Sequence, residues 1–136
     1  MDTSCSEIKS KYFEKTIDET LKKYPLYNIE EQYAIYICAI QNTEPPIMQF
    51  GLLLAMNGFK AVDYLETKLV ETSEDLTVRD IIAVFEWMAL KNTYNVSGNP
   101  KLLRKIDEKV KQMKNAEWKK ITREMIDEIR KPSRRN

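Results

Sequence analysis

Apolar residues recur along the chain at spacings of three and four, separated by short polar breaks. That period marks helices that bury one face. It is clearest from Gly58 to Leu90. There Phe59, Val62, Leu65 and Leu69 mark one helix, and Val78, Ile81, Ile82, Phe85, Met88 and Ala89 mark a second. The acidic turn from Thr72 to Leu76 joins them. Thr77, with Asp80 three residues on, fits the cap of the second helix. Leu65, Ile82 and Phe85 sit on the facing stripes and are expected to be fully buried.

The flanking segments follow the same rule. A first helix is predicted over 6–24, with Ile8, Tyr12, Ile17, Leu21 and Tyr24 on a thin apolar side and Pro25 ending it. Asn28 and Glu31 open a second, whose core face holds Ile29, Tyr33, Ala34, Ile37 and Ile40, widened by Ile35 and Tyr36. Residues 42–44 break it and Pro45-Pro46 restart the chain. A third helix over 47–56 has Gln49 as its one strongly polar residue, and Asn57-Gly58 closes it. After the central pair, 92–99 (NTYNVSGN) is the longest break in the pattern. Asn99-Pro100 then opens a helix to about Met113, with Leu102, Leu103, Ile106, Val110 and Met113 facing in. A last helix from about Glu117 to Ile129 presents Trp118, Ile121, Met125 and Ile129. The fold class is therefore all-α, with about seven helices. After the first they fall into three pairs, 29–57, 59–91 and 100–130, each of roughly thirty residues, the period of helical-hairpin repeats. One helical domain over 1–131 is expected, with a basic flexible tail over 132–136.

At Ala61-Val62-Asp63-Tyr64-Leu65, Leu69, Asp75, Val78-Arg79 and Ile82 the central stretch resembles a HEAT repeat, of the short type found in bacterial HEAT-like proteins. The family's repeat carries a Leu at the place of Leu65, an Asp in the turn and a Val-Arg pair opening the second helix. Asp75 and Arg79 stand where the family's turn Asp and Arg stabilise the stack. Where the family often has a Pro in the first helix, this chain has Asp63. The resemblance covers 58–90, and the flanking pairs match it in period and apolarity alone. It implies antiparallel hairpins packed into a compact right-handed bundle or short solenoid. It also implies a binding scaffold, for proteins mostly and nucleic acids sometimes, with no residue-level site. On this reading Arg79 reaches an acid or backbone carbonyls in the inter-helix turns.

Composition narrows the chemistry. No apolar run approaches the ~20 residues of a membrane span. The chain has no His, which removes the commonest general base and metal ligand. Its two cysteines, Cys5 and Cys38, are too few for a zinc site. They are either free thiols or one disulfide. An antiparallel pairing of the first two helices puts them at the same end, but the differing helix lengths favour free thiols. Cys38 lies in the run YAIYICAI and reads as a small core residue. The carboxylate pairs Glu30-Glu31 and Glu74-Asp75 fall at a helix start and a turn, where acids suit the helix dipole. The pattern holds no phosphate loop, nucleophile elbow or metal spacing. The expectation is a non-enzymatic protein with no cofactor and no metal. The opening MDTSCSE has no signal peptide and reads as cytoplasmic as it stands. An exported protein or a lipoprotein with its leader removed opens the same way.

Charge adds an alternative. The net charge of +1 conceals 9 basic and 15 acidic residues in 1–100, against 13 basic and 6 acidic in 101–136. The first reading is a protein–protein interaction module of the bacterial accessory, adaptor or toxin-neutralising type, its oligomeric state unset by the pattern. Tyr94 in the long loop and Trp87 are its candidate partner surface. The alternative is nucleic-acid binding through the basic last two helices, over 101–135. Lys101, Arg104, Lys105, Lys119, Lys120 and Arg123 are the candidate phosphate contacts. The apolar breadth of 47–56 and 78–91 further predicts that the chain closes over them and buries Trp87.

Overall fold

A computed structural model of the chain describes residues 4–131. They form eight α-helices: α1 Cys5–Tyr12, α2 Ile17–Lys23, α3 Ile29–Gln41, α4 Gln49–Ala55, α5 Phe59–Glu71, α6 Asp75–Lys91, α7 Pro100–Lys111 and α8 Ala116–Arg130. Short 3-10 turns at Tyr24–Leu26 and Val96–Gly98 complete the order, and no strand occurs among the described residues. The fold is all-α. The tail expected over 132–136 lies outside the described residues. Contacts divide the chain into two compact units between Leu54 and Ala55.

In the N-terminal unit the single helix expected over 6–24 is two. Phe13 is extended, and the Thr16 side chain caps α2 by accepting from the Glu19 N–H. The Thr20 hydroxyl accepts from the Glu14 N–H at 2.8 Å, which holds the break closed. Threonines that bond the nearby backbone compete with helix continuation, and here they win. Asn28 and Glu31 form the capping box of α3 as expected. The buried face of α3 is turned from the expected one: Gln32, Ile35, Tyr36, Cys38 and Ala39 are buried, while Ile29, Tyr33, Ala34, Ile37 and Ile40 are half-buried. The cause is local. Tyr24, itself buried, donates to the Gln32 carbonyl at 2.7 Å, and the Gln32 side chain donates to the Tyr27 carbonyl at 2.9 Å. These bonds satisfy a polar side chain in the core, and α3 is apolar enough all round to allow the rotation. The Tyr24 ring packs against Phe50 of α4 at a tilt of 45°, with centroids 4.9 Å apart.

Cys5 and Cys38 form a disulfide, with Cα atoms 5.2 Å apart. The free-thiol reading is thus corrected. The break at Phe13 shortens α1 so that its start meets the end of α3. Tyr12, at the other end of α1, donates to Glu31 at 2.8 Å, and this bond holds the Glu31 carboxyl below its ordinary pKa.

The C-terminal unit is two stacked helical hairpins. The first helices α5 and α7 pack together, and so do the second helices α6 and α8. Ala61, Leu65 and Leu69 of α5 and Leu102, Ile106 and Val110 of α7 are all buried. Ile82 and Phe85 of α6 are fully buried as expected, with Ile81, Val84 and Met88. The expected Thr77 cap is not used. The helix starts earlier, at Asp75, with Glu74 at the N-cap position, and Asp80 is buried beside Arg79. The stripe of α8 is shifted too: Thr122, Ile126 and Ile129 are buried, whereas Ile121 is 40% exposed. α8 packs mainly on α6, with α7 and the Val96–Gly98 turn also against it, and that set of neighbours selects the Thr122, Ile126 and Ile129 line.

Burial also sets a pH dependence. Glu86 on α6 has its pKa raised by desolvation first and by the nearby Glu128 second. A carboxyl whose folded pKa lies above its unfolded one favours the folded state as pH falls through that folded value, and opposes it when charged at neutral pH. Glu86→Gln should therefore raise the unfolding temperature at pH 7. That advantage should fade as pH falls through the carboxylate range, as read by thermal melts against pH.

Candidate interaction surface

The two ends of the stacked hairpins differ in kind. At the end with the α5–α6 and α7–α8 turns, polar groups hold the stack together. The Asp75 carboxylate accepts the backbone N–H groups of Lys114 at 2.9 Å and Asn115 at 2.7 Å, which ties one turn to the next. Lys109 donates to the carbonyls of Val70 and Thr72, and Lys105 pairs with Glu66 at 3.5 Å. Arg79 pairs with Asp80 at 2.9 Å, and its guanidinium lies 5.9 Å from the Trp118 ring centroid. Its acid is thus a neighbour on the same helix, whereas the turn acid Asp75 bonds backbone. Asp75→Ala leaves two N–H groups without that acceptor. It should lower stability by about 1–2 kcal/mol in urea unfolding, with faster amide exchange at 114–115.

The other end gathers the start of α5, the end of α6, the 92–99 loop, the start of α7 and the end of α8. Asn92 ends α6 in the left-handed conformation at φ 56°. The Thr93 hydroxyl donates to the Ala55 carbonyl at 2.7 Å. Gly58 has φ 59° and ψ −134°, and a Cβ there would stand 2.5 Å from the Thr93 carbonyl oxygen. Both facts demand glycine. Gly58→Ala should cost about 2–3 kcal/mol in a thermal or urea melt, since either the turn or the loop must move.

This end departs furthest from the apolar pattern of the sequence. Phe59, expected on the buried stripe, is 77% exposed, and Met56 before it is 55% exposed. The Gly58 turn swings Phe59 outside the packed face, which begins at Ala61. Tyr94 is half-buried, and its hydroxyl accepts from the Asn99 side chain at 2.9 Å. With Ala89, Asn92, Asn95, Val96, Ser97, Ile129 and Lys131 it lines a cleft of about 180 Å³. Trp87 is half-buried, with the Lys91 ammonium 6.0 Å from its ring centroid, so the full burial expected of it is not found.

The six candidate phosphate contacts lie in differing surroundings. Lys105 is held by Glu66, and Lys119 donates to the Lys111 carbonyl at 3.1 Å. Lys101, Arg104, Lys120 and Arg123 are exposed, on faces that also carry the exposed acids Glu108, Glu117, Glu124 and Asp127. A second cleft, between α7 and α8, is lined by Asp107, Val110, Lys111, Arg123, Ile126, Asp127 and Arg130. Arg130 pairs across it with Asp107 at 2.5 Å.

No family model matches the chain, and no curated protein or solved structure matches it.

Proposed function

We propose that the chain is a non-enzymatic protein-binding module, a short HEAT-like stack whose loop end meets the partner. The observation that carries this is the pair of exposed large apolar residues, Met56 and Phe59, set on a turn that Gly58 and Thr93 lock in place. A rigidly held, exposed aromatic residue is the kind of anchor that dominates protein interfaces. The HEAT-like reading draws on the pairing of first helix with first and second with second, and on the turn-to-turn bonds of Asp75. The nucleic-acid reading is weaker, because two of its six cations are engaged within the fold and acids interrupt the rest.

Affinity purification with the full chain and with Phe59→Asp as matched baits tests the proposal. Proteins held by the parent and lost from the variant are expected. Equal retention by both, with a gel shift of duplex DNA that falls steeply with salt, would support the nucleic-acid reading instead.

A further inference from the structure

The charges around Met56 and Phe59 specify the partner's chemistry. The terminal turns of the four helices that meet at this end hold Lys60, Lys91, Lys101 and Arg130, followed by Lys131, and all five are exposed. Arg130 pairs with Asp107 and Lys131 with Glu128. Lys60, Lys91 and Lys101 have no ion pair among the described residues. The 92–99 loop and the Met56–Gly58 turn carry no charge. The acids of the same turns are Asp127 and Glu128, with Asp63 one turn into α5.

Resting on the protein-binding reading above, we propose that the loop end docks an acidic peptide segment of the partner that carries a large apolar residue. The apolar residue packs on Phe59 and Met56, and carboxylates on the segment meet Lys60, Lys91 and Lys101. Both halves are needed. Burying exposed apolar area supplies affinity, while complementary charge supplies orientation and rejects basic segments. A charge-poor loop between the lysines leaves room for the peptide backbone without unpairing any ion.

The test is selection from a displayed library of random linear peptides on the immobilised full chain, followed by affinity measurement of the enriched sequences. Enrichment in Asp and Glu together with Leu, Phe or Trp is expected. Phe59→Ser and the double variant Lys60→Glu/Lys91→Glu should each weaken those peptides about tenfold or more, and added salt should weaken them further. All three substitutions are at exposed positions, and circular dichroism melts matching the parent would establish that the fold is kept. Enriched peptides without acidic bias, or peptides indifferent to both variants, would overturn this inference and leave the protein-binding reading standing. Failure to enrich any peptide, with the chain instead pelleting with phosphatidylglycerol vesicles in a Phe59-dependent way, would overturn both and assign the same surface to an anionic membrane.

Discussion

Phe85→Ala should destabilise the C-terminal unit by about 3–5 kcal/mol, the usual cost of emptying a phenylalanine site in a packed core. Phe85 lies on α6, the helix that contacts α5, α7 and α8 alike, and none of its surface is exposed. Its neighbours on the same helix, Ile81, Ile82 and Met88, are equally buried, so the lost side chain leaves its space inside the packed core. Such a loss is a large share of the stability of a domain this size. The measurement is urea unfolding followed by circular dichroism. A midpoint shift confined to residues after Ala55, read by hydrogen exchange, would locate the damage. A variant that melts like the parent would mean that α6 does not hold the unit together.

The second large effect should come from the disulfide. Cys5→Ser or Cys38→Ser opens a loop closed across a sequence separation of 33 residues. The chain-entropy model gives such a closure roughly 3–4 kcal/mol. Apart from the bridge, α1 is held on α3 by buried Ile8, by Tyr12 with its bond to Glu31, and by Lys9, which donates to the Asn42 carbonyl at 3.1 Å. Protection of α1 amides should therefore fall first on reduction, ahead of those in α3 and α4. The C-terminal unit, which has no cysteine, should keep its exchange rates. Equal loss of protection throughout both units would contradict this account of what the bridge does.

Much of this fold is legible in the sequence, and the departures have physical causes. The helices α3, α5, α6, α7 and α8 follow from apolar period and from the caps at Asn28 and Asn99, because amphipathic spacing and capping are local properties. The break at Phe13–Thr16 does not, since it depends on Thr20 reaching back to Glu14. The face of α3 does not either: a helix apolar all round leaves its rotation to whichever polar residue finds internal partners, and Gln32 finds them. Glycine at 58 is readable as a helix stop, but its consequence for Phe59 is not. The same 3.6 period that places Leu65 and Leu69 inside extends backwards to Phe59, and only the close approach of the Thr93 carbonyl shows that the packed face starts later. The apolar half of the candidate surface was hidden by that extrapolation. Its basic half was obscured differently, because Lys60, Lys91 and Lys101 are far apart in sequence and meet only when the four helix ends do.

Site-specific photo-crosslinking in cell lysate reads partner binding at the loop end directly. A benzophenone amino acid is placed at Phe59 in one full-length chain and at Arg123, on the outer face of α8, in another. The prediction is a discrete protein adduct from position 59 that excess of an acidic peptide selected on the chain abolishes, with none from position 123. Adducts from position 123 alone, whether to protein or to nucleic acid, would contradict the assignment of the partner surface to the loop end.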